Sequence, residues 1–343
     1  MRLWRYLLKR VIFLIPQLLG VFLVTFIAMR MIPGDPARIM AGPMVSEEGV
    51  QKIRERMGWS DPIPVQFITY LKNIFRGDLG RSWFTGNPVV EDIRVRLPAT
   101  LELILLALLV AYFGMLPIAF RAAAGGEKKI INRVAQKTLV GYGMAAGAFP
   151  DFWLGLVMIF VFYAVLKVVP APIGQLDIIV TAPRHITGMY LVDSLLTGDW
   201  IAFKSHLGHL ILPVFVLAFV YGGAILKVAV VSAMEIKKSG FIGFAKVCAL
   251  PPKMVKTYIT KATYPSVATM TAVVFGYLIG GAVLVEQVFS WGGFGMYAVD
   301  AVIKSDYSAI QGVVLVAAVL NLIVYVFVDL IYFWVDPRVE TIG

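Results

Sequence analysis

The sequence predicts an all-α, polytopic membrane protein with six transmembrane helices. Hydrophobic residues make up 59% of the 343 residues and charged residues only 15%, whereas a soluble domain is about half apolar and about a quarter charged. The mean hydropathy is +0.81. Apolar runs of about twenty residues, the length that crosses a hydrocarbon core of about 30 Å, lie near 11–31, 99–120, 138–168, 207–230, 267–288 and 310–334.

The first apolar run follows the basic stretch MRLWRYLLKR and resembles a signal peptide at its start. It is longer than the 7 to 15 residues of a typical signal-peptide core, so we interpret it as a retained first span. The third run is overlong and carries Pro150 and Asp151 in its middle. We therefore expect a tilted or kinked helix there, or a short helix followed by a span.

Lysine and arginine cluster before span one, between spans two and three, and between spans four and five. Positively charged short loops stay on the cytoplasmic side, which places both termini, 1–31 with its span and 335–343, toward the cytoplasm. The net charge of +10 would suit a nucleic-acid binder only if it formed a basic face on a soluble fold. Here the cations lie between apolar spans and set the topology in the cell membrane, so lipid and not nucleic acid is the expected partner.

The first outward loop, 32–95, is rich in charges of both signs, and we expect it to form a small folded domain outside the membrane. Its stretch SEEGVQKIRERMG has the pattern of a capped helix. Ser46 is a suitable N-cap, Glu47 and Glu48 suit the first turn, and Gly58 can stop the helix.

The connection between spans four and five, 235–265, is several times longer than a usual helix-to-helix connection. It carries six lysines against one acid, Glu235. If 240–250 is helical, one face holds Phe241, Phe244, Ala245, Cys248 and Ala249, with Lys246 elsewhere. This face could enter a groove on a cytosolic partner or lie on lipid with the lysines toward anionic headgroups; the pattern favours neither. Pro251 and Pro252 should end the helix.

Cys248 is the chain's single cysteine, which excludes an intramolecular disulfide. A reactive thiolate needs an accessible, electropositive setting. Lys246 is near in sequence, but we expect a small packed side chain at this position.

Four acidic residues fall within the predicted spans, namely Glu102, Asp151, Glu286 and Asp329. An ionised side chain at a helix centre costs about 2.5 to 3.5 kcal/mol on insertion scales, so each is a candidate functional residue. Interface contacts, caps or interhelical hydrogen bonds favour a structural role for each of them, and Asp151 and Glu286 are the candidates for a pathway or gating role. We expect Asp151 to line a transport pathway and to meet a cationic or hydroxyl-rich substrate.

His206 and His209 are three residues apart and could share a helix face, but two ligands without a third make a weak metal site. We expect packing or hydrogen bonding, and no metal site in this chain. Small residues at helical spacing predict close helix contacts in two spans. They are Gly276, Gly280 and Gly281 in span five, where sliding could also serve gating, and Gly143 and Gly147 in span three.

The stretch from Glu235 to Pro251 resembles the EAA-type loop of binding-protein-dependent ABC importer permeases, with Ala245 at the alanine of that pattern. The resemblance to the B-type permease of dipeptide and oligopeptide importers extends over nearly the whole chain. It rests on RYLLKRVIFLIPQLLGVFLVTF, IPGDPA, DPIPVQFITYL, GDLGRS, LPATLEL, HLILPV, GAVLVEQVFSWGGFG and DLIYFWVDPRV, which occur in this order.

Three positions depart from the family pattern. Ala249 stands where glycine is usual, Cys248 where a basic residue is usual, and Gly292 where the family has a proline. The first departure weakens the expected helix-breaking position, so Pro251 and Pro252 are expected to replace it. Docking of the loop should survive these changes.

The resemblance implies a type I ABC importer permease fold with a core over 96–334. It also implies a second, C-type permease, two cytosolic ABC ATPases and an extracytoplasmic solute-binding protein as partners. No G-x-x-x-x-G-K-[ST] phosphate loop occurs here, so this chain should bind no cofactor and catalyse no reaction, with ATP and Mg held by the ATPases. The implied ATPase-docking coupling helix comprises Glu235, Phe241, Phe244, Ala245, Lys246, Cys248, Ala249, Leu250 and Pro251.

Di- and oligopeptides are the substrates that the resemblance implies first, and similar permeases import oligosaccharides or nickel complexes. Two other classes of membrane protein predict different sequence features. An intramembrane enzyme requires clustered catalytic groups such as H-E-x-x-H, which the sequence lacks. A self-contained secondary transporter or channel predicts inverted repeats and broken central helices, and no convincing internal repeat is found.

Overall fold

A computed structural model of the chain describes residues 2–31, 34–124 and 130–335, and within these residues the protein is mostly helical. Its β structure there is one isolated bridge between Arg81 and Pro88. The helices are α1 (Arg2–Met31), α2 (Pro36–Ala41), α3 (Glu47–Arg56), α4 (Ile63–Phe75), α5 (Val89–Val110), α6 (Leu116–Ala124), α7 (Ile130–Ala146), α8 (Asp151–Met158), α9 (Tyr190–Thr197), α10 (Trp200–Lys238), α11 (Gly240–Val247), α12 (Pro252–Val288), α13 (Phe294–Ile303) and α14 (Tyr307–Val335). Two π-helical segments, Ala111–Met115 and Ile159–Val165, follow α5 and α8.

Five helical segments of the described residues are long and apolar enough to cross a membrane. They are Ile12–Met31, Val89–Ala122, Trp200–Lys238, Pro252–Val288 and Tyr307–Val328. A sixth span arises if the bent pair Val134–Ala146 and Asp151–Val165 is counted as one. The all-α membrane fold is thus confirmed, with five or six candidate spans, and the predicted third run corresponds to the bent pair.

The third run bends more sharply than a simple kink. Its two helices meet at 100°, with a break between Ala146 and Asp151. Pro150 precedes the second helix in an extended conformation, with φ of −63° and ψ of 126°. Because proline lacks an N–H group and disfavours helical geometry in the residue before it, the chain ends one helix before Pro150 and starts the next after it.

The chain divides into two compact units, of which the first comprises Met1–Leu97 and Met296–Leu322. The predicted capped helix is present here as α3. The Ser46 hydroxyl accepts a hydrogen bond from the Gly49 amide at 3.4 Å, and Gly58 follows the helix with φ of 67°. Both predicted helix signals are therefore confirmed.

Asp306 organises the GDLGRS segment of the first unit. Its Oδ2 accepts hydrogen bonds from the Ser82 hydroxyl at 2.5 Å and from the Trp83 amide at 2.9 Å. Its Oδ1 accepts from the amide of Ala309 in the first turn of α14 at 3.2 Å. The Trp83 ring stacks on Tyr307 with centroids 5.2 Å apart. One buried carboxylate thus both caps a membrane helix and fixes the loop that precedes α5.

The second unit comprises Pro98–Gly295 and Ile323–Gly343. Within it, α10 and α12 pack against each other and are joined through α11. A close approach of α7 to α10 depends on glycine. A Cβ atom on Gly143 would lie 2.7 Å from the Gly223 carbonyl oxygen and 2.7 Å from Cβ of Lys227. The predicted small-residue contact in span three is therefore confirmed at Gly143, whereas Gly147 has no neighbour within 4 Å of such an atom.

Candidate functional site

The short helix α11 lies between the two longest helices of the chain. Helix α10 has 39 residues and α12 has 37, which at 1.5 Å per residue makes each about 55 to 58 Å long. Because the hydrocarbon core is about 30 Å thick, both helices extend well beyond it. Helix α11 thus connects the ends of two long helices.

One face of α11 packs inward and the other is open. Ile242 is 0% exposed and Ala245 4%, while Phe241 is 51% and Phe244 70% exposed. The Phe241 ring also contacts Tyr258 of α12, with ring centroids 6.3 Å apart. The residues predicted to share one face therefore lie on two sides of α11, because Ala245 is on the inward side with Ile242. Two phenylalanine rings are left on the open side.

The C-terminal end of α11 is a Schellman motif. The Leu250 amide donates to the Ala245 carbonyl oxygen at 3.1 Å, and the Ala249 amide donates to the Lys246 carbonyl oxygen at 3.0 Å. Ala249 accordingly has φ of 55°, the left-handed conformation in which glycine is the usual residue because it has no Cβ. The glycine of the family pattern is explained by this geometry.

The prediction that Pro251 and Pro252 end the helix was wrong. Helix α11 ends at Val247, before Pro251, and Pro252 instead begins α12, where its fixed φ suits a first helical position. The packed environment expected for Cys248 was also wrong, because this thiol is exposed. Cys248 is the C-cap residue directly after α11.

The segment around α11 presents positive charge to solvent. Glu235 and most of the lysines have exposed side chains, and Leu250 is half-buried. The exposed lysines are Lys238, Lys246, Lys253, Lys256 and Lys261. The open phenylalanine face therefore belongs to a segment rich in exposed cations.

A second cluster joins three helices around Tyr221. The Tyr221 hydroxyl on α10 donates to Oδ2 of Asp151 on α8 at 2.9 Å, and Oδ1 of Asp151 accepts from the Phe152 amide at 2.7 Å. Asp151 itself is only 8% exposed. A Cβ atom on Gly281 of α12 would collide with the Tyr221 hydroxyl, while one on Gly280 would meet nothing within 4 Å. Asp151 and Gly281, chosen separately from the sequence, thus meet at one tyrosine.

Glu286 is completely buried near the end of α12. It accepts a hydrogen bond from the Thr100 hydroxyl, and the same hydroxyl oxygen accepts from the Phe294 amide at 2.8 Å. A Cβ atom on Gly293 would lie 2.7 Å from the Glu286 carboxyl group. Through the Thr100 hydroxyl of α5, the carboxyl group therefore helps to fix the turn between α12 and α13 to α5.

Glu102 pairs with His206 in the interior of the second unit. The Nδ1 atom of His206 is 2.9 Å from the Gln175 carbonyl oxygen, and its Nε2 is 2.7 Å from Oε2 of Glu102. A carbonyl oxygen can only accept, so Nδ1 carries a proton. One further proton lies between Nε2 and the carboxyl group, and the pair is neutral as a whole.

The loop before α9 is held by Asp193. Its carboxylate accepts from the amides of Ile186, Thr187 and Gly188 and from the Thr187 hydroxyl, at 2.7 to 3.1 Å. Burial opposes the charged form, but these hydrogen bonds outweigh it and hold the pKa of Asp193 below its ordinary value. The loop is thereby fixed to the first turn of α9.

The spacing of charges and apolar residues did not single out Tyr221 or Thr100. Both residues carry hydroxyl groups within otherwise apolar spans, where a polar group needs a partner inside the protein. A hydroxyl group in an apolar span was therefore the sequence signal that could have identified them. The structure also gives His206 and His209 hydrogen-bonding roles, as predicted. Among the residues described, no group of three histidine, cysteine or acidic side chains could hold a metal ion.

The long apolar helices, the pair α10 and α12 connected through α11 and the exposed lysines around α11 define a multi-pass helical membrane protein. The family model of the binding-protein-dependent transport system inner membrane component matches residues 115–341. A companion model for the N-terminal part of such components matches residues 3–104. The chain therefore belongs to this family, as a multi-pass permease subunit of the cytoplasmic membrane and not an ATPase.

Known relatives match the chain over almost its whole length. The probable D,D-dipeptide transport system permease protein DdpB of Escherichia coli is 38% identical over 99% of this chain and 98% of its own. The dipeptide transport system permease protein DppB of Alkalihalophilus pseudofirmus is 32% identical over 98% of this chain and 99% of its own. The oligopeptide transport system permease protein AppB of Bacillus subtilis is 31% identical, with coverage of 98% and 99%.

Proposed function

We propose that this chain is the B-type permease of an ATP-driven importer for di- or oligopeptides. The names of its relatives support peptides as cargo. Oligosaccharides and nickel complexes are the alternative cargoes for the same machinery, and none of these three relatives is named for them. Ion-gradient-driven uptake by the chain alone would contradict the proposal in favour of a secondary transporter.

The partners follow from this function. A second, C-type permease would complete the translocation pathway, and two cytosolic ABC ATPases would hold ATP and Mg. A solute-binding protein would deliver cargo to the outer face, where loop 32–95 is its proposed contact. The lysines around α11 support a cytoplasmic location of this segment under the positive-inside rule, and both termini are proposed to be cytoplasmic with it.

The observation that carries the proposal is the open face of α11. Phe241 and Phe244 project from a short helix that is anchored by Ile242 and Ala245, and two long helices run from its ends. Insertion of these rings into a groove on an ATPase would let closure of the ATPases move α10 and α12 as rigid bodies. Access to the pathway would then alternate between the outer and inner face.

The exposed face also suits an interfacial helix on lipid, so the experiment must separate the two roles. The complete importer carrying Phe244→Ala should lose stimulated ATP hydrolysis and peptide uptake together in proteoliposomes. The expected loss is at least about tenfold, because a buried aromatic anchor at an interface contributes about 2 kcal/mol or more. A helix that only lies on lipid predicts unchanged coupling.

Phe113→Ala is the matched control. Phe113 is 78% exposed within the second span, so the same side chain is removed from a comparably open position far from α11 in sequence. We expect this variant to retain hydrolysis and uptake. Equal losses in both variants would show a general effect of removing exposed rings and would contradict the docking role.

We also propose that Asp151 lines the pathway and that Gly280 and Gly281 allow α12 to shift beside it. Tyr221 supports this role by holding the Asp151 carboxylate at the junction of α8, α10 and α12. For Glu286, the brace to Thr100 favours a fixed structural role over contact with cargo. A fixed brace at the end of α12 would transmit the movement of that helix to the turn before α13.

A further inference from the structure

Helix α4 (Ile63–Phe75) is rich in apolar residues, yet none of its residues is buried by the described chain. Its sequence IPVQFITYLKNIF contains one lysine and no acid. Ile68 is 51% exposed and Phe75 78%. An apolar stripe on a helix normally faces a core or an interface. Helix α4 therefore requires an apolar neighbour that the described residues do not supply.

The contacts of α4 with α1 give a first marker of its depth in the membrane. Helix α1 contains the apolar span Ile12–Met31, whose 20 residues are about 30 Å long, the thickness of the hydrocarbon core. Arg30 at the end of this span donates a hydrogen bond to the side-chain oxygen of Gln66 on α4. An arginine at a span end keeps its charge at the headgroup level, so Gln66 lies at that level.

The next residue of α4 lies deeper. The Phe67 ring packs edge-on against Phe26 with centroids 5.1 Å apart, and the Tyr70 ring is 5.9 Å from the same phenylalanine. Phe26 precedes the end of the span at Met31 by about 7.5 Å of helix. The apolar face of an interfacial helix is buried to a similar depth, about 5 to 10 Å. Because Phe67 and Tyr70 reach one ring from different positions along α4, this helix runs across the axis of α1.

Helical rotation assigns the other residues to the two sides of α4. Successive residues differ by about 100°, and Gln66 faces the headgroup level while Phe67 faces the deeper level. Turning further in the direction from Gln66 to Phe67 leads to Leu71, Phe75 and Ile68. Turning the opposite way leads to Asn73, Thr69 and Arg76. The exposed apolar side chains therefore point toward hydrocarbon and the polar ones toward water, with Val65 as the exception.

Positive charge borders the exposed apolar side. Lys72 and Arg76 are exposed, and in the part of the chain that the structure describes neither pairs with an acidic side chain. Cations at the edge of an interfacial helix reach the phosphate groups of lipids. Ile27 and Met31, which neighbour the residues of α1 that contact α4, are 46% and 77% exposed. The apolar surface of the span therefore continues up to α4.

We propose that α4 is an interfacial helix in the leaflet reached by the C-terminal end of α1, with its exposed apolar side among acyl chains and its cations at anionic phospholipid headgroups. A lipid surface fits this helix better than a partner protein does. The depth set by Phe26 and the separation of apolar and cationic sides both match the boundary of a bilayer.

An interfacial α4 anchors the middle of loop 32–95 to the membrane between the spans that flank the loop. The Gln66 side chain also donates to the carbonyl oxygens of Trp59 and Asp61, at 3.1 and 2.7 Å. The connection from α3 is thereby held at the same height as α4. The other helices of the loop remain available to the solute-binding protein.

Photocrosslinking identifies what each side of α4 touches. Benzoylphenylalanine would replace Ile68, Thr69 or Phe75 in the complete importer, in nanodiscs of phosphatidylcholine and phosphatidylglycerol. Lipid adducts at positions 68 and 75 should exceed those at 69 at least about fivefold, because the polar side of an interfacial helix stays in water. Adducts of 68 and 75 with the second permease or the solute-binding protein, found by mass spectrometry, would overturn the proposal. Equal lipid adducts at all three positions, or none at any, would also overturn it.

Charge removal gives a second test. Amide hydrogen exchange of 63–75 should slow at least about fivefold when phosphatidylglycerol replaces part of the phosphatidylcholine, because cations near the surface bind anionic lipid. Lys72→Gln combined with Arg76→Gln should abolish this dependence. The matched control, Lys52→Gln with Arg56→Gln, removes two exposed cations at the same spacing from α3 and should retain it. Exchange that is insensitive to phosphatidylglycerol in the unchanged importer, or equal loss in both double variants, would contradict the site.

Discussion

The Tyr221 hydroxyl donates a hydrogen bond to Asp151 and also fills the space that a side chain at Gly281 would need. A single hydroxyl group thus links α8, α10 and α12. It explains why a glycine is required at one position of α12 and not at its neighbour.

Gly281→Ala should destabilise the protein, whereas Gly280→Ala should not. A methyl group at Gly281 collides with the Tyr221 hydroxyl, and overpacking of this kind costs about 1 to 3 kcal/mol. At Gly280 the methyl group meets no atom of the chain within 4 Å, and alanine favours a helix over glycine by about 1 kcal/mol. Apparent unfolding temperatures of the purified variants measure both effects.

Tyr221→Phe should relieve part of the Gly281→Ala defect. The double variant loses the colliding oxygen, so its unfolding temperature should exceed that of Gly281→Ala alone although each single change is destabilising. This non-additivity is the signature of direct contact. Simple additivity of the two losses would show that Tyr221 does not occupy the space at Gly281.

Asp151→Asn should lower peptide uptake by about tenfold while preserving assembly. The amide keeps the size of the carboxyl group and removes the charge that a cationic or hydroxyl-rich cargo would meet, a difference of about 1 to 2 kcal/mol per hydrogen bond. Uptake by proteoliposomes containing the complete importer measures the loss. Transport indistinguishable from the wild type would count against a pathway role for Asp151.

Ala249→Gly should stabilise the end of α11. Ala249 has φ of 55°, and a non-glycine residue in this conformation costs about 1 to 2 kcal/mol, partly offset by the greater freedom of glycine in the unfolded chain. We expect a net gain of up to about 1 kcal/mol in the same unfolding assay. Ala262→Gly, at an exposed site within α12, is the control and should lose about 1 kcal/mol.

Asp193→Asn should destabilise the loop before α9 in a pH-dependent manner. Hydrogen bonds from residues 186–188 hold the pKa of Asp193 below its ordinary value of 3.8. The carboxylate therefore contributes stability that is complete above that value and is lost as pH falls through the lower, folded-state pKa. The difference in unfolding temperature between wild type and variant should be equal at pH 7 and 5 and shrink below about pH 4. A constant difference at all pH values would exclude this role of the charge.

The sequence predicted some features of the candidate site and missed others. The α11 segment, its aromatic pair and the need for a helix stop near Ala249 were all predictable, because spacing and backbone conformation are local properties. The inward position of Ala245 was not, because which side of a short helix is covered depends on α10 and α12. The proline stop was wrong because the Schellman hydrogen bonds hold Ala249 in a conformation that its side chain disfavours.

The sequence by itself determined the membrane fold, the positions of its spans and the capped helix α3. These follow from hydrophobic length, charge asymmetry and capping residues, which act over one element at a time. Only the tertiary structure decided which polar groups meet. Asp151 and Tyr221 are 70 residues apart and Glu102 and His206 are 104 apart. Because buried polar groups must find partners wherever the packing brings them, those pairings depend on how the helices cross and cannot be obtained from local pattern.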